Sequence, residues 1–155
     1  MNVLGKNGLG KYLKIFLIIL FIILIPGIVL SPFLLHHTRK IIYSMFIIYP
    51  NGILLLGIVY EFIKLFKSLE VNNPFNNENV KTLYQTSLIS FLISILWFTD
   101  LLFMIFIINN YYVNYIIVLI FLSLLFLGVS ISLYILSELF KKAVIYKEEN
   151  DLTIW

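Results

Sequence analysis

Four long apolar runs, separated by short polar connections, make up most of the chain. The runs cover approximately residues 13–35, 41–63, 80–108 and 111–137. A helix needs about 20 consecutive apolar residues to cross a bilayer, and each run supplies that length. The pattern therefore predicts an all-α fold: an integral membrane four-helix bundle that forms a single domain over residues 1–155, with residues 138–155 as a polar tail.

Composition agrees with this assignment. Hydrophobic residues make up 61% of the chain and charged residues 12%, whereas soluble domains average about 45–50% apolar and about 25% charged. A soluble domain of 155 residues has too small an interior to hide so much Ile, Leu and Phe. The chain has no cysteine, which excludes disulfides, thiol redox chemistry and cysteine-ligated metal sites.

The first apolar run has a second possible interpretation. A basic start followed by an apolar run also resembles a secretory signal peptide, but no small-residue cleavage site follows. We therefore predict an uncleaved first span.

The first two runs are each interrupted by a proline. Pro26 predicts a kink in the first span, and Pro50 predicts a broken or kinked second helix, because proline removes a helical hydrogen bond.

The clearest local signal is a helix start after Pro74. Asn76 suits the N-cap position, because its side-chain oxygen can accept a hydrogen bond from a free amide of the first turn. Glu78 then lies near the positive end of the helix dipole. Phe75 and Val80 flank the cap at the positions of a hydrophobic staple. Three separate signals thus predict one helix start.

Hydroxyl side chains form a stripe along one face of each of the last two spans. They are Ser87, Ser90 and Ser94 on the third span, and Ser123, Ser130, Tyr134 and Ser137 on the fourth. Small and hydroxyl residues let membrane helices approach closely and hydrogen-bond to each other. We therefore interpret both stripes as helix-packing faces rather than as a substrate path.

The distribution of basic residues between alternate connections predicts the orientation. One side receives nine, which are Lys6, Lys11, Lys14, Lys64, Lys67, Lys81, Lys141, Lys142 and Lys147. The other side receives only Arg39 and Lys40. Because basic loops stay in the cytoplasm, this bias predicts that both termini are cytoplasmic. The tail is predicted to continue the fourth helix by a turn or two and to end it at Asn150–Asp151.

A shared polar layer is predicted inside the membrane. At a rise of about 1.5 Å per residue, Asp100, Asn51, Ser123 and Pro26 come to similar depths. An ionised Asp at the centre of a span costs at least about 2.5–3.5 kcal/mol. We therefore expect Asp100 to be neutral and to donate a hydrogen bond to Asn51 or to a carbonyl freed by a proline, with Arg39 as the alternative partner. On that basis Asp100→Leu should weaken the bundle.

The cytoplasmic side carries a second candidate site. The antiparallel layout brings the start of the third span beside the end of the fourth. The apolar residues Phe75, Val80, Phe140 and Val144 can then form one patch, rimmed by Glu78, Lys81, Lys141 and Lys142. Either this patch binds a partner, or its two segments pack only against each other and the lipid headgroups.

Two segments resemble a known family. The segment Pro74–Lys81 (PFNNENVK) resembles the PFTxENxxRL motif of the YoaS-like family of uncharacterised small four-helix bacterial membrane proteins. The segment from Leu139 to Thr153 resembles that family's ending, vFrrGxxLxeENDLTv, with Ala143 where Gly is usual. The resemblance implies a bacterial inner-membrane protein of unknown function. It also implies a neighbouring gene for a small helix-turn-helix regulator.

Three function classes remain open on the sequence. The first is a non-enzymatic regulatory or interaction protein that acts with a small helix-turn-helix regulator or a membrane partner. The second is an immunity or stress-protection protein against a membrane-active peptide. The third is a small oligomeric carrier that uses Asp100. Expected partners are the lipid bilayer, a small cytoplasmic regulator or membrane protein, and further copies of the chain.

No enzyme is predicted. The sequence offers no activated nucleophile pair, no phosphate-binding glycine loop and no metal cluster. His36 and His37 are adjacent but have no further ligands nearby, so they indicate a solvated loop. We therefore expect no cofactor, no metal and no direct binding of nucleic acid.

Overall fold

Four α-helices account for nearly all of the described chain. The computed structural model describes residues 9–35, 41–70, 75–108 and 113–153. The helices are α1 (Leu9–Leu35), α2 (Ile41–Glu70), α3 (Asn77–Phe103) and α4 (Val113–Thr153). Each contains a stretch long and apolar enough to cross a membrane, and these ranges contain no strand. The prediction of an all-α protein with four membrane-spanning helices is confirmed. The predicted loop at His36–Lys40 and the turn at Asn109–Asn110 lie outside the described residues.

The helices pack in chain order, α1 on α2, α2 on α3 and α3 on α4, with the most extensive contact between α3 and α4. Neighbouring helices are antiparallel, because contacts late in one helix fall early in the next. Ile28 of α1 approaches Gly52 of α2, and Ser68 near the end of α2 accepts a hydrogen bond from Asn76 at the start of α3. Midway along both helices, Gly57 of α2 approaches Ile89 of α3. The beginnings of α1 and α3 therefore lie at the same end of the protein as the ends of α2 and α4.

The α1–α2 interface depends on a glycine beside the proline of α2. A Cβ added at Gly52 would lie 2.8 Å from Ile28 Cγ1 and 2.9 Å from its Cδ1, which is too close for any larger residue without movement of the isoleucine. The helix runs unbroken through Pro50, so a break at this residue is wrong, whereas a kink stays a prediction. In a membrane protein, neighbouring helices and local adjustment compensate for the hydrogen bond that a proline removes.

The start of α3 has the predicted cap. Asn76 has extended backbone angles (φ −140°, ψ 159°), and its Oδ1 accepts from the backbone N–H of Asn79 at 2.7 Å. Glu78 lies in the first helical turn. At the other end, α3 widens into a π-helical turn, Met104–Ile108, which the sequence pattern did not predict.

Serine side chains hold α3 against α4. Reciprocal bonds join Ser94 and Ser123: the Ser94 Oγ donates to the Ser123 carbonyl at 2.9 Å, and the Ser123 Oγ donates back at 3.3 Å. Two further bonds lie seven and fourteen residues away along both helices, from Ser130 Oγ to the carbonyl of Ser87 at 2.9 Å and from Ser137 Oγ to that of Val80 at 3.0 Å. We call each of these three hydrogen-bonded levels between α3 and α4 a serine rung. The heptad spacing places neighbouring rungs about 10 Å apart along the helices. The predicted packing role of both stripes is confirmed.

The fourth helix is longer than a membrane requires. Its 41 residues extend about 60 Å, whereas the hydrocarbon core of a bilayer is about 30 Å thick. The helix continues to Thr153, so the predicted end at Asn150–Asp151 is wrong. Asn and Asp lower helix stability by only about 0.7 kcal/mol each relative to Ala, and the next residues, Leu152 and Thr153, are neither Gly nor Pro.

Candidate functional site

One end of the protein collects most of its positive charge. The beginnings of α1 and α3 and the ends of α2 and α4 meet there, and together they carry Lys11, Lys14, Lys64, Lys67, Lys81, Lys141, Lys142 and Lys147. We call this the basic end. Both candidate surfaces described next belong to it.

A half-open cleft of about 620 Å³ lies at the basic end, between the last turns of α2 and the start of α3. The Lys64 Nζ lies 3.6 Å from the Glu78 Oε1 across this cleft. Near them, the Asn76 Nδ2 donates to the Ser68 Oγ at 3.0 Å, so the capping residue of α3 also ties α3 to α2. The lining residues are Tyr60, Ile63, Lys64, Lys67, Ser68, Asn76 and Glu78.

This cleft was not predicted from the sequence. The signal was present, because the five lining residues on α2 follow the pattern i, i+3, i+4, i+7, i+8 and therefore share one helix face. They are Tyr60, Ile63, Lys64, Lys67 and Ser68. What the sequence lacked was any indication that the start of α3 stands opposite this face.

Two of the four apolar residues of the predicted interaction face, Phe75 and Phe140, contact each other. The ring centroids of Phe75 and Phe140 are 5.2 Å apart, with the planes inclined at 52°. Val144 is buried, with 4% of its surface exposed, and Val80 accepts the hydrogen bond of Ser137 described above. These contacts attach the end of α4 to the start of α3.

The charged rim of that face is open. Lys81, Lys141 and Lys142 are exposed on the surface of the basic end. Glu78 is also exposed, and it faces Lys64 in the cleft. The predicted rim residues thus belong to two neighbouring surfaces, with Glu78 on the cleft and the lysines around the joined ends of α3 and α4.

Three members of the predicted polar layer lie close to one level, and the fourth lies further along. Ser123 is level with Ser94 because of their hydrogen bonds, and the contacts of Gly52 and Gly57 place Asn51 and Pro26 within about a turn of that level. Asp100 lies six residues beyond Ser94 on α3, which is roughly 9 Å along the axis. Asn51 is buried, and Pro26 is exposed on the outer surface of α1.

One oxygen of the Asp100 carboxyl group lacks the expected hydrogen bond. This atom, Oδ2, is buried and has no hydrogen-bond partner among the described residues. One turn earlier, the buried Nε1 atom of Trp97 also has no partner within that part of the chain. Arg39, the alternative partner of Asp100, lies outside the described residues.

The described ranges contain no group of three or more His, Asp or Glu side chains that could hold a metal ion.

Comparison with known proteins gives one family match. Residues 12–154 match the family described as "Protein of unknown function (DUF2975)". No curated protein and no solved structure matches the chain significantly.

Proposed function

Since the chain belongs to the DUF2975 family, whose function is not known, we propose that it is a non-enzymatic membrane protein that binds a partner through its basic end. The observation that carries this proposal is the extension of α4. The serine rung at Ser137 and Val80 lies near the start of α3, so the following residues of α4, up to Thr153, extend beyond it as continuous helix.

The surface of this extension suits a protein partner. Ile145 and Tyr146 are exposed, with 45% and 65% of their surfaces accessible. Charged side chains of both signs surround them, including Lys147 and Glu148. An aromatic and an aliphatic side chain within a charged rim is the arrangement typical of protein interfaces. The ring contact between Phe75 and Phe140 fixes the base of the extension.

The proposed partner is a small helix-turn-helix regulator or another membrane protein. The regulator follows from the resemblance of the chain to the YoaS-like group, and we propose membership of that group within the wider family. The same resemblance and the excess of lysine at the basic end support a location in the bacterial inner membrane with both termini in the cytoplasm. A cytoplasmic regulator could then reach the extension of α4 directly.

Truncation after Val144 tests this proposal. The truncated chain keeps Phe140, Val144 and all three serine rungs, so it should still insert and fold. We expect co-purification with the co-expressed regulator to fall at least about tenfold, because Ile145, Tyr146 and the charges around them are removed. Equal recovery of the regulator by the full and truncated chains would contradict the proposal.

A photo-crosslinking pair provides the positional control. A photoreactive residue at Tyr146 should crosslink to the regulator, whereas the same residue at Tyr12 should not. Tyr12 is also exposed and lies at the same end of the protein, on α1. Crosslinking of equal yield at both positions would indicate non-specific proximity to the membrane surface.

A small oligomeric carrier is the second candidate function. It is favoured by the buried oxygen of Asp100, which has no hydrogen-bond partner in the described part of the chain, because intramembrane acids often serve in proton relays. Proton-dependent flux into liposomes should then be present for the natural chain and lost in Asp100→Asn, which keeps the shape but cannot ionise. Background flux from the natural chain, equal to that of empty liposomes, would exclude this candidate.

A further inference from the structure

We propose that the cleft between α2 and α3 binds the phosphate group of an anionic phospholipid, with Lys67 as the principal ligand and Lys64 as the second. This site is separate from the α4 extension and does not depend on the proposed protein partner. The depth of the cleft, the nature of its walls and its charge support this assignment.

The depth of the cleft is that of lipid headgroups. Its α2 wall is the end of the apolar stretch Ile48–Ser68, which is long and apolar enough to cross a membrane. Its other wall is the start of α3, where a second such stretch, Asn77–Phe106, begins. Because both stretches terminate at the cleft, its mouth lies where hydrocarbon gives way to water.

The walls are suited to the two parts of a phospholipid. Tyr60 and Ile63 precede Lys67 in α2 by about two turns and one turn. They line the cleft on the side of the membrane interior. Tyr60 has 58% of its surface exposed, and a tyrosine at this level offers an apolar ring to an acyl chain and a hydroxyl group to the headgroup region. Lys64, Lys67 and Ser68 follow at the outer end, where a phosphate would lie.

The charge of the cleft is positive. Lys67 is exposed and has no ion pair among the described residues, while Lys64 faces Glu78 at 3.6 Å. Among the described lining residues, two lysines and one glutamate leave one net positive charge. Since Lys64 already faces Glu78, that carboxylate is poorly available to the ammonium group of a zwitterionic lipid. The balance favours an anionic headgroup, and clustered basic residues at membrane surfaces attract such lipids.

Native mass spectrometry of the full chain can measure this binding. The protein would be released from micelles that contain phosphatidylglycerol or phosphatidylcholine with the same acyl chains, and the bound lipids counted. We expect tighter binding of phosphatidylglycerol, and about a fivefold weakening in Lys67→Gln. Lys141→Gln is the matched control, because it removes the same charge from an exposed position at the same end but outside the cleft.

A second variant is expected to change the affinity for phosphatidylglycerol in the opposite direction. Glu78→Gln removes the only carboxylate among the described residues that line the cleft and releases Lys64 from its ion pair, so binding of phosphatidylglycerol should strengthen at least twofold. Glu148→Gln makes the same charge change on the exposed surface of α4 and should leave binding unchanged. A purely structural role for Glu78 predicts a loss of binding instead.

Three results would overturn the proposal. The first is equal binding of phosphatidylglycerol and phosphatidylcholine. The second is a loss in Lys67→Gln no greater than that in Lys141→Gln. The third is displacement of the lipid by inorganic phosphate at an equal concentration, which would identify a site for a free anion rather than for a lipid headgroup. Selective lipid binding that follows Lys67 and Glu78 in opposite directions would support it.

Discussion

Ser94→Leu is expected to lower the free energy of unfolding by about 2–4 kcal/mol, which combines overpacking with the loss of an intramembrane hydrogen bond. Ser94 donates to the carbonyl of Ser123 at 2.9 Å, so the two backbones approach too closely for a leucine. The added side chain must push α4 away or leave its preferred rotamer. Reversible unfolding in mixed micelles or by steric trapping in bicelles measures the change.

Two variants separate volume from hydrogen bonding. Ser94→Ala removes the hydroxyl without adding bulk and should cost only about 0.6–1.7 kcal/mol. Ser132→Leu makes the same change as Ser94→Leu at a position on α4 where the hydroxyl is exposed and donates only to Gly128 of its own helix at 2.8 Å. It should be nearly neutral. If Ser94→Leu were as mild as Ser132→Leu, the close approach of α3 and α4 at this rung would be wrong.

Asp100→Leu is expected to raise the free energy of unfolding by about 1–3 kcal/mol, because it removes a buried polar atom that has no hydrogen-bond partner among the described residues. The sequence pattern predicts the opposite sign, because a bond between Asp100 and Asn51 is expected from their similar depths. The structure places Asp100 about 9 Å further along α3 than the level of Ser94 and Ser123. The same unfolding assay measures the effect.

Two control variants separate the effect of removing the buried carboxyl group of Asp100 from the effect of adding a hydrophobic side chain. Thr99→Leu adds a leucine at the adjacent exposed position and should change stability by less than Asp100→Leu does. Asp100→Asn keeps a polar group and should stay close to the natural chain. A marked loss of stability in Asp100→Leu would instead show that the carboxyl has a partner, with Arg39 as the first residue to test.

A stabilising Asp100→Leu would also bear on function. A carboxyl group that reduces stability and has no structural bond is difficult to explain as a packing device. The carrier proposal would then gain support, provided that the liposome measurement shows flux that depends on Asp100. The partner-binding proposal does not depend on this outcome, because its residues lie at the basic end.

The helix start at Asn76 shows what the sequence by itself determined. The cap, the acidic residue of the first turn and the apolar run that follows all lie within a few consecutive residues, and the hydrogen bond from Asn79 to Asn76 forms between neighbours in the chain. The four spans are equally local, because transfer into lipid depends on the apolar surface of one contiguous segment. The family resemblance likewise depends on two short segments of sequence.

The tertiary structure alone decided how the helices meet. Both serine stripes are visible in the sequence, but only the packing of α3 on α4 shows that Ser94 faces Ser123 and that Ser130 faces Ser87. The cleft beside Lys64 and Glu78, and the buried Asp100 oxygen with no hydrogen-bond partner among the described residues, have the same origin. Each depends on how far one helix slides and rotates against its neighbour, which is set by the closest contacts, such as Gly52 on Ile28. A rise counted along one helix gives depth but neither rotation nor slide, so these contacts could not be derived from the sequence.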